Sequence, residues 1–240
     1  MKRLFYCILG LILCQCNLTA QERTYVTETE DYIAWQPGVK LTFDMFKKVE
    51  PTEWDTINMK RENRQSMPYL GYYHVLDVPK KVSRKGGWKD GLGEKAYFCA
   101  MFSKHQSYMA VRDSFELKVS QALWDIVELS VRCCRRGLDH YQKMFDKDIE
   151  GHTTGVVAMF FYAECKKWEE TKNELTLMVI KDVVIPHDYD RYLEIRKELD
   201  EMLDSTALYA STPEEAERFL LNKPLDDRYK MAEQLIDMSK

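Results

Sequence analysis

Between Met109 and Phe145 the apolar residues Phe115, Val119, Ala122, Leu123, Ile126, Leu129 and Cys133 recur at intervals of three and four. That spacing places them on one face of an α-helix. A stripe of this kind has to be buried against other elements, so the segment predicts a long central helix that the rest of the chain packs around. Lys118, Glu128, Arg132, Arg135 and Arg136 fall largely on other faces, and Gly137 is a weak point late in the helix.

The chain ahead of this helix reads mostly as strands. Tyr32–Trp35 is a short strand, Pro37-Gly38 turns the chain, and Lys40–Phe43 starts a second strand running into Asp44-Met45-Phe46. Residues 51–66 are polar and read as loop. Met67–Val78 carries Tyr69, Tyr72, Tyr73, Val75 and Val78, the side chains that suit a pleated surface. Residues 79–93 are basic and glycine-rich, a loop or hairpin tip. Lys95–Phe102 is apolar at nearly every position, which predicts a strand covered on both faces.

The chain beyond the helix reads as further helices. Residues 154–171 are one candidate, and 175–185 are strand or helix, ended by Pro186. Asp188–Leu203 carries Tyr189, Tyr192, Leu193, Ile195, Leu199 and Leu203 among charges. Thr212-Pro213-Glu214-Glu215 supplies an N-cap, a proline at N1 and a glutamate at N3. Pro224 separates Phe219-Leu220-Leu221 from a last short helix. The expected fold is α+β: an N-terminal, mainly antiparallel sheet packed against the long central helix, with a helical C-terminal region. Residues 21–170 form the α+β domain in this reading, and residues 171–240 a helical extension packed on it.

The first twenty residues have the pattern of an export signal. Met1-Lys2-Arg3 is basic, Leu4–Leu13 is almost unbroken apolar sequence, and Leu18-Thr19-Ala20 precedes Gln21 as a cleavage site. The run is shorter than the ~20 residues of a spanning helix, which leaves a retained anchor as the weaker alternative. A lipid anchor on Cys14 or Cys16 ranks below cleavage, because Leu13 and Gln15 precede them instead of a small residue. The expected location is periplasmic or secreted.

Without Lys2 and Arg3 the formal net charge moves from −4 to −6. The charges are interspersed, with no basic stripe for nucleic acid and no cationic amphipathic helix for a membrane surface. An unidentified protein or cell-envelope component is the expected partner. Four cysteines lie beyond residue 20: Cys99, Cys133, Cys134 and Cys165. An oxidising compartment allows two disulfides among them in three connectivities. The alternative is four small buried hydrophobes. Cys133 and Cys134 are neighbours on a helix, so their side chains diverge by about 100°.

Common catalytic signatures are missing. The chain has no G-x-S-x-G, no phosphate-binding glycine loop and no C-x-x-C. Ser103, Ser107 and His105 lack an acid partner for a triad. The glycines at 86, 87, 91 and 93 are better explained as a flexible turn than as a phosphate cradle.

Two segments resemble a bacterial family of predicted secreted zinc-dependent proteases, a domain of unknown function. Ile33-Ala34-Trp35 followed by Lys40-Leu41-Thr42-Phe43-Asp44-Met45-Phe46 is similar to the family's opening I-x-W…L-T-W-x-D-F. Ser107-Tyr108 resembles its S-W, and Trp124-Asp125-Ile126-Val127-Glu128-Leu129-Ser130-Val131-Arg132 resembles F-D-I-A-E-L-x-A-R. A weaker echo continues through Phe145-Asp146-Lys147, Gly151-His152 and Lys167-Trp168-Glu169. The resemblance covers roughly residues 32–169.

The family's zinc helix carries H-E-x-x-H immediately before the second block. Two histidines four apart face one metal there, and the glutamate is the general base on metal-bound water. The corresponding residues here are Val119, Ser120, Gln121, Ala122 and Leu123. Isopropyl and isobutyl groups offer a metal no lone pair, and the Ser120 hydroxyl is too weak a base. Asp125, Glu128 and His152 are the remnants. Asp125 and Glu128 would be ligand supports in the family, or simply surface carboxylates with Glu128–Arg132 an i,i+4 pair. The expectation is therefore a protease-like protein without catalytic or cofactor chemistry, acting in binding or assembly. The competing reading is a zinc-dependent hydrolase with a divergent site at His152, Glu128 and Asp125.

Overall fold

The computed structural model describes residues 23–81, 92–147 and 153–232. The chain begins with β1 (Tyr32–Ala34), a 3-10 turn at Phe43–Met45, α1 (Glu53–Glu62), β2 (Ser66–Met67) and β3 (Leu70–Pro79). Then come β4 (Lys95–Ser103), β5 (Tyr108–Met109) and the 33-residue helix α2 (Ser114–Asp146). Helix α3 (Val156–Val179) runs into a π-helical stretch at Ile180–Val184, followed by α4 (Tyr189–Ser205), α5 (Pro213–Leu220) and β6 (Tyr229–Met231). The class is α+β as expected, with an antiparallel sheet ahead of a long helix and further helices after it.

The main sheet has the order β1-β4-β3-β6 and every pairing in it is antiparallel. Strand β4 is central and buried from Tyr97 to Ser103. Its alternation explains why nearly every position is apolar. Phe98, Ala100 and Phe102 enter one core with Trp124, Val127 and Val131 of α2 and Phe161 of α3. Cys99 and Met101 face the other way, against Ala34, Ala216 and Phe219. The sheet is therefore enclosed between α2 with α3 on one side and α5 on the other, the burial on both faces that the sequence predicts.

Helix α2 is the centre of the fold. It is capped by Asp113, whose carboxylate accepts from Phe115 N at 2.6 Å. Three stripes run along it. Phe115, Val119, Ala122, Ile126, Leu129 and Cys133 pack against Val183, Val184, Tyr192, Ile195 and Leu199. Trp124, Val127, Val131, Cys134 and Leu138 face the sheet. Gln121, Asp125, Glu128, Arg132 and Arg135 form the third stripe, spaced by four, three, four and three. The helix is covered on all three.

Several expectations are corrected. Lys40–Phe43 is not a strand: Leu41 N donates to Gln121 Oε1 of α2 at 2.8 Å, so its backbone bonds a side chain instead of a sheet edge. Residues 53–62 are helical instead of looped. Thr52 and Asp55 form a reciprocal capping box, and Asn63 ends the helix in the left-handed region at φ 53°. Trp54 and Ile57 of α1 are exposed and its buried residues, Asp55, Asn58 and Glu62, are polar, so no apolar stripe betrays the helix. After Pro224 the described residues form β6 on the outer edge of β3, with Asp77 opposite Met231, and the rest of the stretch expected to be a last short helix, residues 233–240, lies outside the described residues. Residues 175–185 resolve as helix, the end of α3 and the π-helical stretch.

The division at residue 170 falls inside α3, and residues beyond it complete the sheet through β6 and the core through α4 and α5. Among the described residues no helix is long and apolar enough to cross a membrane. The expected export signal, with Cys14 and Cys16, falls outside the described residues.

Candidate functional site

Val119 and Leu123, at the positions of the two metal-ligand histidines in the resemblance, are 1% and 3% exposed. They sit in the core between α2, the π-helical stretch and α4. Ser120 is fully buried on the flank of α2, its Oγ 3.5 Å from Ser66 Oγ. Glu116, one turn earlier, accepts from Ser66 Oγ at 2.6 Å and from Gln65 N at 3.0 Å. This end of the helix thus anchors β2 through hydrogen bonds.

The polar stripe on the opposite side holds Asp125 and Glu128. Asp125 is 2% exposed and accepts from Trp35 Nε1 at 2.7 Å, Gln121 Nε2 at 2.8 Å and Arg196 NH1 at 2.6 Å. Both carboxylate oxygens are occupied. Glu128 is fully buried, accepting from Arg132 Nε at 2.8 Å, Ser211 N at 2.9 Å and Ser211 Oγ at 2.6 Å. Burial pushes its carboxyl above the ordinary value, against the opposing pull of Arg135, Ser211 and Arg132. Arg132 also donates to Leu203 O at 2.7 Å, and its guanidinium lies 4.9 Å from the Trp35 ring centroid. Arg135 spans Glu215 Oε1, Tyr209 O and Phe98 O at 2.6–3.0 Å.

The surface reading of Glu128–Arg132 is therefore corrected. The pair is buried, and Ser211 satisfies the carboxylate oxygens that a surface pair would leave to water. The stripe joins three distant parts of the chain: the segment after β1 through Trp35 and Leu41, α4 through Arg196, and the approach to α5 through Ser211 and Glu215. Its acids are acceptors already matched to donors, with no free lone pair aimed at an open space. That is the arrangement of a structural network.

Asp125 and Glu128 share a helix face but engage separate partners, and neither lines the cavity of about 260 Å³ beside Arg135 or the one of about 290 Å³ beside Arg136. His152, the third candidate of the resemblance, lies outside the described residues. Among those described, no three His, Cys, Asp or Glu side chains gather as a metal site would require.

Cys99, Cys133, Cys134 and Cys165 are all buried free thiols, in place of the disulfides allowed by their number. Cys134 Sγ is 2.7 Å from Tyr72 Oη and 3.5 Å from Glu164 O. Burial pushes the thiols of Cys99 and Cys133 up. Sequence reasoning missed the partners of the stripe, Arg196, Ser211 and Glu215. Arg196 and Ser211 carry no motif, Glu215 is legible only as the N3 residue of the α5 capping box, and only the packing of α4 and α5 brings them to α2.

Comparison with protein-family models, curated proteins and solved structures found no match.

Proposed function

We propose that this chain is an exported, non-catalytic protein of the zinc-protease-like type, working in binding or assembly in the periplasm or at the cell surface. One observation carries the reading. The positions where such a scaffold would hold zinc are aliphatic core residues, and the two acids after them are consumed by structural hydrogen bonds. A site that had lost one ligand by drift would leave a polar hollow. Here the space is filled by Val183, Val184, Tyr192 and Ile195. A strand layer packed across the long helix agrees with the same reading.

Zinc in such a protein has too few ligands to bind tightly, since a full structural set supplies ~10–16 kcal/mol and one imidazole only a small part. The test is metal content after purification without chelator, followed by zinc titration while melting temperature is recorded. Absence of stoichiometric metal and of any shift is expected. Stoichiometric zinc with a clear rise in melting temperature overturns the proposal and directs attention to His152.

A further inference from the structure

A cavity of about 290 Å³ opens between α2 and α3, away from the polar stripe. Its lining is unlike that of a core gap. Trp168 and Tyr141 supply aromatic surface, while Arg136 and Lys167 supply positive charge. Glu164, 4% exposed, is the one carboxylate in the lining.

The floor is built. Glu164 Oε2 accepts from Trp168 Nε1 at 2.9 Å, and Lys167 Nζ lies 3.6 Å from Oε1. Gly137 makes room for that carboxylate, because a Cβ there would stand 2.2 Å from Oε2. The Trp168 ring is thus held in one orientation by its own indole N–H. Tyr141 is fixed as well, stacked on Phe160 with ring centroids 4.0 Å apart and an angle of 8°. Two immobilised aromatic side chains therefore border the space without needing to be ordered by a ligand.

The charge balance identifies the kind of ligand. Lys167 is matched to Glu164, and no carboxylate among the described residues pairs with Arg136. Arg136 NH2 instead lies 3.7 Å from Cys133 Sγ, a weak neutral acceptor. Among the described residues its guanidinium therefore has no carboxylate partner, and it lines the same cavity as Tyr141 and Trp168. Guanidinium groups recognise carboxylates bidentately, and ring faces recognise planar apolar groups. The volume, at the low end for ligand pockets, admits one small molecule.

We infer that the Arg136–Trp168 cavity binds a small aromatic carboxylate, with the carboxylate on the Arg136 guanidinium and the ring against Trp168 and Tyr141. This site is distinct from the zinc-ligand positions of the protease resemblance, and the inference stands whether or not that resemblance holds.

Benzoate is the probe. Titration into the purified protein, followed by proton–nitrogen correlation spectra, is expected to give saturable shifts centred on the Trp168 indole N–H and the Gly137 amide. Arg136 is exposed, so Arg136→Ala keeps the fold, and it is expected to weaken benzoate binding at least tenfold. Arg136→Lys, which keeps the charge but loses the fork, is expected to weaken it nearly as much. Inorganic phosphate is expected to produce no saturable shift at the indole. Absence of saturable benzoate shifts overturns the assignment, as does binding unchanged in Arg136→Ala. Equal binding of phosphate overturns the aromatic part of it.

Discussion

Asp77 of β3 and Arg218 of α5 form a two-pronged ion pair, Nε to Oδ2 at 2.6 Å and NH2 to Oδ1 at 2.7 Å, with both side chains at most 2% exposed. Removing one partner strands the other charge in the interior. Arg218→Ala is expected to cost ~3–5 kcal/mol, measured as a fall in urea midpoint at unchanged slope. Replacing both, Asp77→Leu with Arg218→Met, is expected to cost much less than the single change. A single change no worse than the double one would show that the pair is not desolvated as described.

The aliphatic residues at the ligand positions of the resemblance are expected to behave as ordinary core. Leu123→Ala should cost ~2–5 kcal/mol of unfolding free energy. Val119→His with Leu123→His should destabilise the protein strongly, because two imidazoles would enter a space already filled by Val183, Val184 and Ile195. Zinc is expected to leave the melting temperature of that double variant unchanged. Rescue by zinc would mean that the helix still presents a usable metal face.

Gly137 gives a prediction with a change of sign. Alanine ordinarily stabilises a helix interior by ~1 kcal/mol relative to glycine. Here the new Cβ meets Glu164 Oε2 at 2.2 Å, so Gly137→Ala is expected to be destabilising by ~1–3 kcal/mol. On a Glu164→Ala background the same substitution should become stabilising. Thermal unfolding of the four species checks it, and additivity of the two changes would contradict it.

His74 should make stability depend on pH. Its Nδ1 is buried without a hydrogen-bond partner, and burial holds the imidazole below its ordinary pKa of 6.5, opposed by the charge of Glu169. The unfolded chain therefore takes up this proton at a higher pH than the folded one does. Stability from this residue is fully present above pH 6.5 and is lost as pH falls through the folded value. Denaturant titrations from about pH 8 to about pH 5 should show His74→Phe losing less stability than the parent across that window. Parallel curves would refute it.

The parts of the fold that were legible in the sequence are those written in side-chain period. The stripe from Phe115 to Cys133 announces α2, and the apolar run of β4 announces a strand enclosed on both faces. Thr212-Pro213 with Glu215 announces the start of α5, which forms with its capping box intact. Illegible were elements fixed by distant partners. Lys40–Phe43 has strand-like residues, yet Gln121 takes the Leu41 N–H. Helix α1 is held by its cap and shows no amphipathic pattern. The second apolar stripe of α2, Trp124 to Leu138, hid the depth of the charged one beside it. Charges usually mark a solvated face, and only the arrival of Arg196 and Ser211 turns Asp125 and Glu128 inward. The cavity at Arg136 was similarly invisible, because its two walls come from different helices.

The pairing of β6 with β3 joins residues about 150 positions apart, and it closes the edge of the sheet with some of the last described residues to be synthesised. Until that stretch has left the ribosome, the outer edge of β3 has open backbone donors and acceptors. Long-range pairing of this kind makes closure slow and late. A nascent or truncated chain ending before Tyr229 would therefore be the species most in need of a chaperone, and the one most prone to associate with its own copies along that edge.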